Sequence, residues 1–502
     1  DFNPFTGSLA VHGLIAELDD TTPLAIDVLS LNLVLHKLFS KQVIIEGVTI
    51  EGLDVAVTRN SSGQLRIGGV HGGGDKSSDD SSGKEWGFAI DSLTLKEVNI
   101  DYLAPGIRSE ILVEVFELSD LASFNPEQRA RIKLQGVIDS ARVNIDGELA
   151  FFGMAKGYEG QVKVDGLKFQ NYGGLLPETI SELSGGTSVD VRLSTQLSAS
   201  GQLTANVDGQ WVVDSTQLVS ESIKLSNQAA QWQGKISYAR ESGGQQSINL
   251  DGGIKLADTR VTPSEDLVVQ QGLLSWSGES SIKLSADKPL LLTSSGELTS
   301  DQLQLSARDR DSDVFYEKLA WQGEINLNTP DGQEGQFVSG DLVVNGFRAT
   351  SPESNVTLML LEKLVVKTIK AELPQRISIA RTEFNGLTVG KQDIGKTADK
   401  AASTTSAANY GQMVLDDLQY DADKGLSIKT IRQKDVLQTV RKTPEGEWNI
   451  LRIVNLMKRV AKGEPSGDEK AGTDKKAAMP VRVDTIVVEG DSTLVFEDYQ
   501  VN

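Results

Sequence analysis

"SVDVRLSTQLSASGQLTANV", Ser188 to Val207, alternates with period two. Val189, Val191, Leu193, Thr195 and Leu197 fall on one parity; Asp190, Arg192, Ser194 and Gln196 fall on the other. Successive side chains of a strand point to opposite faces, so this stretch predicts a sheet with one apolar and one wet face. Ser200-Gly201-Gln202 interrupts the pattern as a tight turn, after which Leu203, Ala205 and Val207 resume it. Two alternating runs joined by a short Gly turn form an antiparallel hairpin.

The same texture runs on. "WQGKI" starts at Trp232, "WSGES" at Trp276 and "WQGEI" at Trp321, at separations of 44 and 45 residues. Alternation follows each Gly, through Ile236 and Tyr238, Ile282 and Leu284, then Ile325 and Leu327. A period of this size marks supersecondary units that stack on one another. Ile248, Leu250, Ile254 and Leu256 keep one parity between the first two copies.

A larger unit is written twice. "VAVTRNSSGQLRI" at Val55–Ile67 and "VRKTPEGEWNI" at Val440–Ile450 place Gly six residues after Val57 and Val440, and Ile four residues later. A polar segment follows each, "GGVHGGGDKSSDDSSGKE" and "KGEPSGDEKAGTDKKAAM". Then comes an alternating strand in which Ile90-Asp91-Ser92-Leu93 matches Val483-Asp484-Thr485-Ile486. "LPQRISIARTEFNGLTVG" from Leu373 resembles "KQVIIEGVTIEGLDV" from Lys41, so the second unit is expected to begin near 373. The expected organisation is a first β module over 1–118, a central repetitive sheet over 119–372 and a second module over 373–502.

Helices are few. "PETISELSG" from Pro177 predicts a short one, with Pro at its start and Gly after it. "EWNILRIVNLMKRVAKG" predicts a longer one, with Trp448, Leu451, Val454 and Met457 spaced by threes and Gly463 as its stop.

Composition removes several function classes. The net charge of −21 leaves no basic stripe to displace the counterions of a nucleic acid or to dock broadly on anionic lipid. The absence of Cys removes disulfides, thiolate nucleophiles and Cys-zinc sites. His12, His36 and His71 are far apart, and no phosphate-binding Gly loop, nucleophile elbow or zinc-protease motif occurs. Asp309, Asp311 and Asp313 alternate as in a calcium loop, but Val314 and Ala320 stand where such a loop needs Gly and Glu. That run and Asp421–Gly425 read as exposed turns. No catalytic residue, metal or cofactor is expected, and no enzyme activity.

An apolar face this long, in a chain only 6% aromatic, lacks the large rings that usually fill the core between two sheets. The expected fold is all-β with few short helices: an elongated, highly curved antiparallel sheet forming an apolar groove, built from repeated modules. Its expected lining is Val189, Val191, Leu193, Leu197, Leu203, Val207, Ile236, Ile248, Leu250, Ile254 and Leu256.

Asn3-Pro4-Phe5-Thr6, Leu9, Gly13-Leu14, Pro23-Leu24 and the hairpin through Arg59, Gly63 and Leu65 resemble the opening of the AsmA-like periplasmic proteins. The match is to the branch of unknown function whose units begin Asn-Pro-Phe-Thr. "VRKTPEGEWNI" repeats that signature, and "LVFEDYQVN" resembles the close of such a unit. The AsmA-like group is similar to the bridge-like lipid-transfer proteins. The resemblance implies a periplasmic β-structure anchored to the bacterial inner membrane by a segment outside this sequence. It also implies a groove that carries phospholipid acyl chains toward the outer membrane, with an outer-membrane or periplasmic partner. The opening at Asp1 is that expected of a fragment or a processed product. The competing expectation is a structural scaffold of the cell envelope with nothing bound.

Overall fold

The computed structural model describes residues 2–3, 5–16, 24–60, 64–67, 70–71, 86–285, 288–328, 335–394, 403–442, 448–451, 453 and 480–498. Strand accounts for 81% and helix for 5%, which makes the chain all-β. Two compact units share it: 1–221 with 229–252, and 222–228 with 253–502.

The first unit holds β1 (Phe2–Asn3), β2 (Ser8–Ala16), β3 (Leu24–Leu33), β4 (Gln42–Arg59), β5 (Leu65–Ile67), β6 (Val70–His71) and β7 (Gly87–Ala104). It continues through β8 (Ile107–Ala122), β9 (Ala130–Ile138), β10 (Ala141–Ala150), β11 (Ala155–Lys168), β12 (Ile180–Ser198) and β13 (Leu203–Ser220). β14 (Lys224–Arg240) and β15 (Gln246–Ser264) are divided between the units. The second unit continues with β16 (Leu267–Ser285), β17 (Lys288–Ala307), β18 (Ser312–Leu327), β19 (Gln336–Ser351), β20 (Val356–Leu373) and β21 (Arg376–Ile394). It ends with β22 (Ser403–Thr405), β23 (Ala408–Asp421), β24 (Gly425–Lys442), β25 (Val481–Glu489) and β26 (Thr493–Asp498).

In each unit successive strands pair with their neighbours. β12 runs antiparallel between β11 and β13, with Val191 opposite Val162 on one side and Gly209 on the other. The hairpin expected at Ser200–Gln202 joins β12 to β13 with Leu197 opposite Leu203. The strands are long: at about 3.3 Å per residue, the 18 residues of β13 span about 60 Å. Side chains on such a ladder touch mainly their cross-strand neighbours.

The sheet is mixed where a purely antiparallel one was expected. β4 pairs with β7 in parallel, and β24 pairs in parallel with β25 and β26. Both junctions lie at the twice-written unit. A parallel neighbour cannot be reached by a tight turn, and each junction falls where the sequence carries a long polar segment. The two copies agree in register. Arg59 pairs with Leu65 as Lys442 bridges to Trp448. Val48 pairs with Leu93 as Ile431 pairs with Ile486. The strand equivalent to β4 is therefore β24. The run from Leu373 is β21, two ladder positions earlier, so its likeness to the Lys41 stretch reflects a shared alternation and not a shared place.

Residues 180–184, the later part of the short helix expected from Pro177, form the start of β12. Pro177 makes one turn, with the Ile180 N–H donating to its carbonyl at 2.9 Å, and Leu183 then pairs with Leu218. An isolated helix of two turns is marginal in water, and a strand partner already in place outcompetes it. Asn449–Leu451 and Ile453 are helical as expected. The rest of that expected helix, and most of both polar segments, lie outside the described residues. Ile453 is buried against Gly390 and Ala407, so this turn covers part of the sheet.

Asp311 corrects another expectation. It follows the 3-10 turn Arg308–Arg310 with φ of 46°, and it is buried at 3% exposure. Ser351 Oγ donates to its carboxylate, as does the Glu353 N–H at 2.7 Å. The alternating acids thus supply a buried acceptor that ties two strand ends together. Asp311→Ala is expected to cost about 2–4 kcal/mol, since it strands two donors and loses a residue type that tolerates the left-handed region. Urea unfolding of Asp311→Ala and Asp311→Asn checks this, with the Asn variant retaining most of the stability.

Candidate apolar binding face

Cross-strand partners share a face, so register alone assembles the site. Leu9, Leu31, Val48, Leu93, Leu118, Ile132, Gly147, Gly160, Leu193 and Val207 are consecutive partners across ten strands. The adjacent row is Val11, Leu29, Ile50, Leu95, Phe116, Leu134, Ile145, Val162, Val191 and Gly209. Every apolar side chain in both rows is partly exposed, and none is buried. The inner face of a two-sheet sandwich would bury them.

The opposite parity is wet and paired. Arg129 lies 3.2 Å from Glu159, Lys163 lies 3.6 Å from Asp190, and Gln161 Nε2 donates to Asp190 at 2.9 Å. A shallow recess of about 800 Å³ opens on this side, lined by Arg131, Asp146, Glu148, Asp190, Arg192 and Asp208. Both signs of charge line it, and several of its groups already satisfy one another. A sheet with one ion-paired face and one partly exposed apolar face has its chemistry sorted side from side.

The residues expected to line the site divide as follows. Val189, Val191, Leu193 and Leu197 share a face with Leu203 and Val207 through the pairs Leu193–Val207 and Leu197–Leu203. Gly234 and Gly252 approach each other, with a Cβ on either falling within 2.7 Å of the other's Cα. Ile236 is two residues from Gly234; Ile248 and Leu250 keep the parity of Gly252. Ile254 and Leu256 keep that parity beyond the unit boundary. Leu197 and Ile254 are the most open of the set, at 40% and 45% exposure. The contribution from Leu9 to Val162 was absent from the expected lining although its alternation is as plain. Only the ladder shows that those short runs join the same rows.

In the first unit an aromatic ring lies over glycines on this face. Tyr158 pairs with Leu149 and Thr195, and its ring covers Gly147 and Gly160. Its hydroxyl donates to the Gln161 carbonyl at 3.1 Å. Burial, then the nearby Asp146 charge, push the phenol above its ordinary range, so it remains a donor at neutral pH. In the second unit Gly278, Gly296, Gly323 and Gly340 are consecutive partners, flanked by the row Trp276, Leu298, Trp321 and Leu342. The Trp-x-Gly copies of β16 and β18 therefore stand in register, with the β17 pair Gly296 and Leu298 between them.

Two polar contacts hold the margins. The 3-10 segment Phe169–Leu175 touches β8 and β12, and its Tyr172 donates to Asp139 at 2.9 Å. Burial first, then Asp139, raise that phenol. Lys367 Nζ lies 2.8 Å from Asp341, whose carboxyl this hydrogen bond and the Thr368 N–H hold below the usual range.

No known family, curated protein or solved structure matches the chain. Among the described residues no helix is long and apolar enough to cross a membrane.

Proposed function

We propose that this chain binds phospholipid acyl chains along its apolar face and serves lipid transfer between the inner and outer membranes of a bacterial envelope. The observation that carries the proposal is the pair of in-register apolar rows across ten strands, left partly exposed opposite an ion-paired wet face. Contiguous apolar area beyond a few hundred Å² is retained on a soluble surface when something binds there. An acyl chain laid on such a face gains up to about 0.8 kcal/mol per methylene taken from water. Aliphatic walls without polar specificity groups suit that ligand. The resemblance to AsmA-like proteins supplies the periplasmic setting, the inner-membrane anchor and the absence of a chemical step. The proposal rests on the exposure of the rows, since the recess lined by Arg131, Asp146 and Asp190 opens on the wet side.

A photo-crosslinking residue at Leu193, Ile236 or Leu250 is expected to capture phospholipid in cells. The same probe at Arg192, Lys235 or Asn249, one residue away and of opposite parity, is expected to capture none. Equal labelling of both sets would mean non-specific contact, and labelling of neither would favour a dry envelope scaffold.

A further inference from the structure

One end of the first unit's strands is apolar at its loop tips. Phe39 in the 3-10 turn Leu35–Ser40, Phe124 in the β8–β9 loop, and Phe151 and Met154 in the β10–β11 loop all stand exposed, as does Trp86 just before β7. Phe39 and Met154 are 93% and 81% exposed. These tips adjoin one another. The Gly87 N–H donates to the Lys41 carbonyl at 2.9 Å, and a Cβ on Gly87 would lie 3.1 Å from the Phe124 ring. A Cβ on Gly153 would lie 3.0 Å from the Pro126 carbonyl oxygen. The β3–β4, β8–β9 and β10–β11 connections therefore form one rim. The opposite strand ends carry exposed Leu65, Leu103 and Leu175 but, among the described residues, no exposed Phe or Trp.

Loop tips at a surface need no large apolar side chain, and rings left in water at several adjoining tips mark a contact surface. Charge singles out the partner. Residues 34–41, 123–129 and 151–156 carry Lys37, Lys41, Arg129 and Lys156 against one acid, Glu127, in a chain of net charge −21. Arg129 is already paired with Glu159 at 3.2 Å, which leaves the three lysines to an outside anion. Interfacial binding to a membrane grows with the apolar area inserted and with attraction to anionic headgroups. The rings stand on separate tips, and a bilayer surface accepts them without the matched pockets that anchors on a protein partner need. The apolar rows begin close by. Leu118 is four residues from the end of β8 and Gly147 three from the end of β10, about 10–13 Å at 3.3 Å per residue.

We propose that this rim docks the first unit on the surface of a bilayer containing anionic phospholipid. Phe39, Phe124, Phe151 and Met154 insert among the headgroups, and Lys37, Lys41 and Lys156 lie beside the lipid phosphates. The net charge of the chain opposes broad electrostatic docking, so the contact is confined to the rim and the rings carry it. Docking goes beyond the binding of acyl chains along the rows and does not require it.

The test uses the whole chain and vesicles of phosphatidylcholine with about one quarter phosphatidylglycerol. The chain has no Cys, so Met154→Cys and Leu175→Cys each take a single environment-sensitive fluorophore. Vesicles are expected to shift the label at 154 to the blue and to leave the label at 175 unchanged. Phe39→Ser with Phe151→Ser is expected to weaken co-sedimentation at least about tenfold, and Lys37→Glu with Lys41→Glu at least about threefold. Phe39 and Phe151 are exposed, so the far-UV circular dichroism of the serine variant should match the parent. Its retained phospholipid, extracted after denaturation, should also match, which separates docking from occupancy of the rows. A fall in retained phospholipid with vesicle binding intact would place these rings in the acyl-chain site and overturn the proposal. So would blue shifts at both positions, a shift at neither, or vesicle binding indifferent to the serines or to the glutamates. Self-association of the parent that the serines abolish, read by light scattering without vesicles, would assign the rim to a second copy and equally overturn it.

Discussion

Gly340→Ala should lower the unfolding free energy by about 3–5 kcal/mol, among the largest effects of any single methyl group added to this chain. Gly340 lies in mid-β19 with φ of 145°, a region that L side chains rarely adopt. A Cβ there would lie 2.3 Å from the Gln322 carbonyl oxygen and 2.8 Å from the Cα of Gly323. Both obstacles are backbone atoms of the neighbouring strand, so no side chain can swing aside. Gly278 shares the predicament, with φ of 156° and a Cβ 2.1 Å from the Ser295 oxygen. Gly47, inside β4, has nothing within 4 Å of an added Cβ, so Gly47→Ala should be neutral or slightly stabilising. Urea unfolding of the three variants, with hydrogen exchange read across β18–β20, decides the matter. Loss of under 1 kcal/mol in Gly340→Ala would show that the stripe can relax, and that its glycines reflect composition more than geometry.

Val191→Asp should separate binding from stability. The new carboxylate would stand between Val162 and Gly209 on the apolar face. Val191 is only half-buried, so water still reaches the charge in the empty protein and the stability cost should stay near 1 kcal/mol. A bound acyl chain would seal that water out, and the charged form is then strongly disfavoured. Retained phospholipid, extracted after denaturation and measured by mass spectrometry, should fall at least tenfold. Gln196→Asp, on the wet parity opposite Gly157 and Thr204, should leave it unchanged. Equal lipid content in both variants would sink the assignment of the apolar face as the binding surface.

Most of the local structure is legible in the sequence because a strand writes its own parity. Val189 to Leu197 had to share a face once they were extended, and the Ser200–Gln202 turn had to return the chain antiparallel. The doubled hairpin was equally legible, because its turn residues and spacing are local. Pairing was not. Nothing within residues 87–104 says that β7 meets β4 in parallel, since that choice belongs to the crossover and to the partner's free edge. The segment from Pro177 to Ser184 shows the same limit: its short helical signal is real, but a ladder bond to β13 is worth more than an unsupported turn. Asp311 read as an exposed acid because its acceptors' partners, Ser351 and Glu353, are some forty residues away.

The sequence by itself determined the strand class, the apolar parity, the repeated unit and the net charge of −21. Each follows from period, spacing or composition, which are properties of neighbours along the chain. Only the tertiary structure decided that ten strands align their apolar parity into continuous rows, that four glycines meet in register, and that the rows stay partly exposed among the described residues. Those depend on register and on what packs over a face. Both are set by backbone hydrogen bonds between residues far apart in sequence, and a one-residue slip in any pair would have turned that strand's apolar side to the wet face.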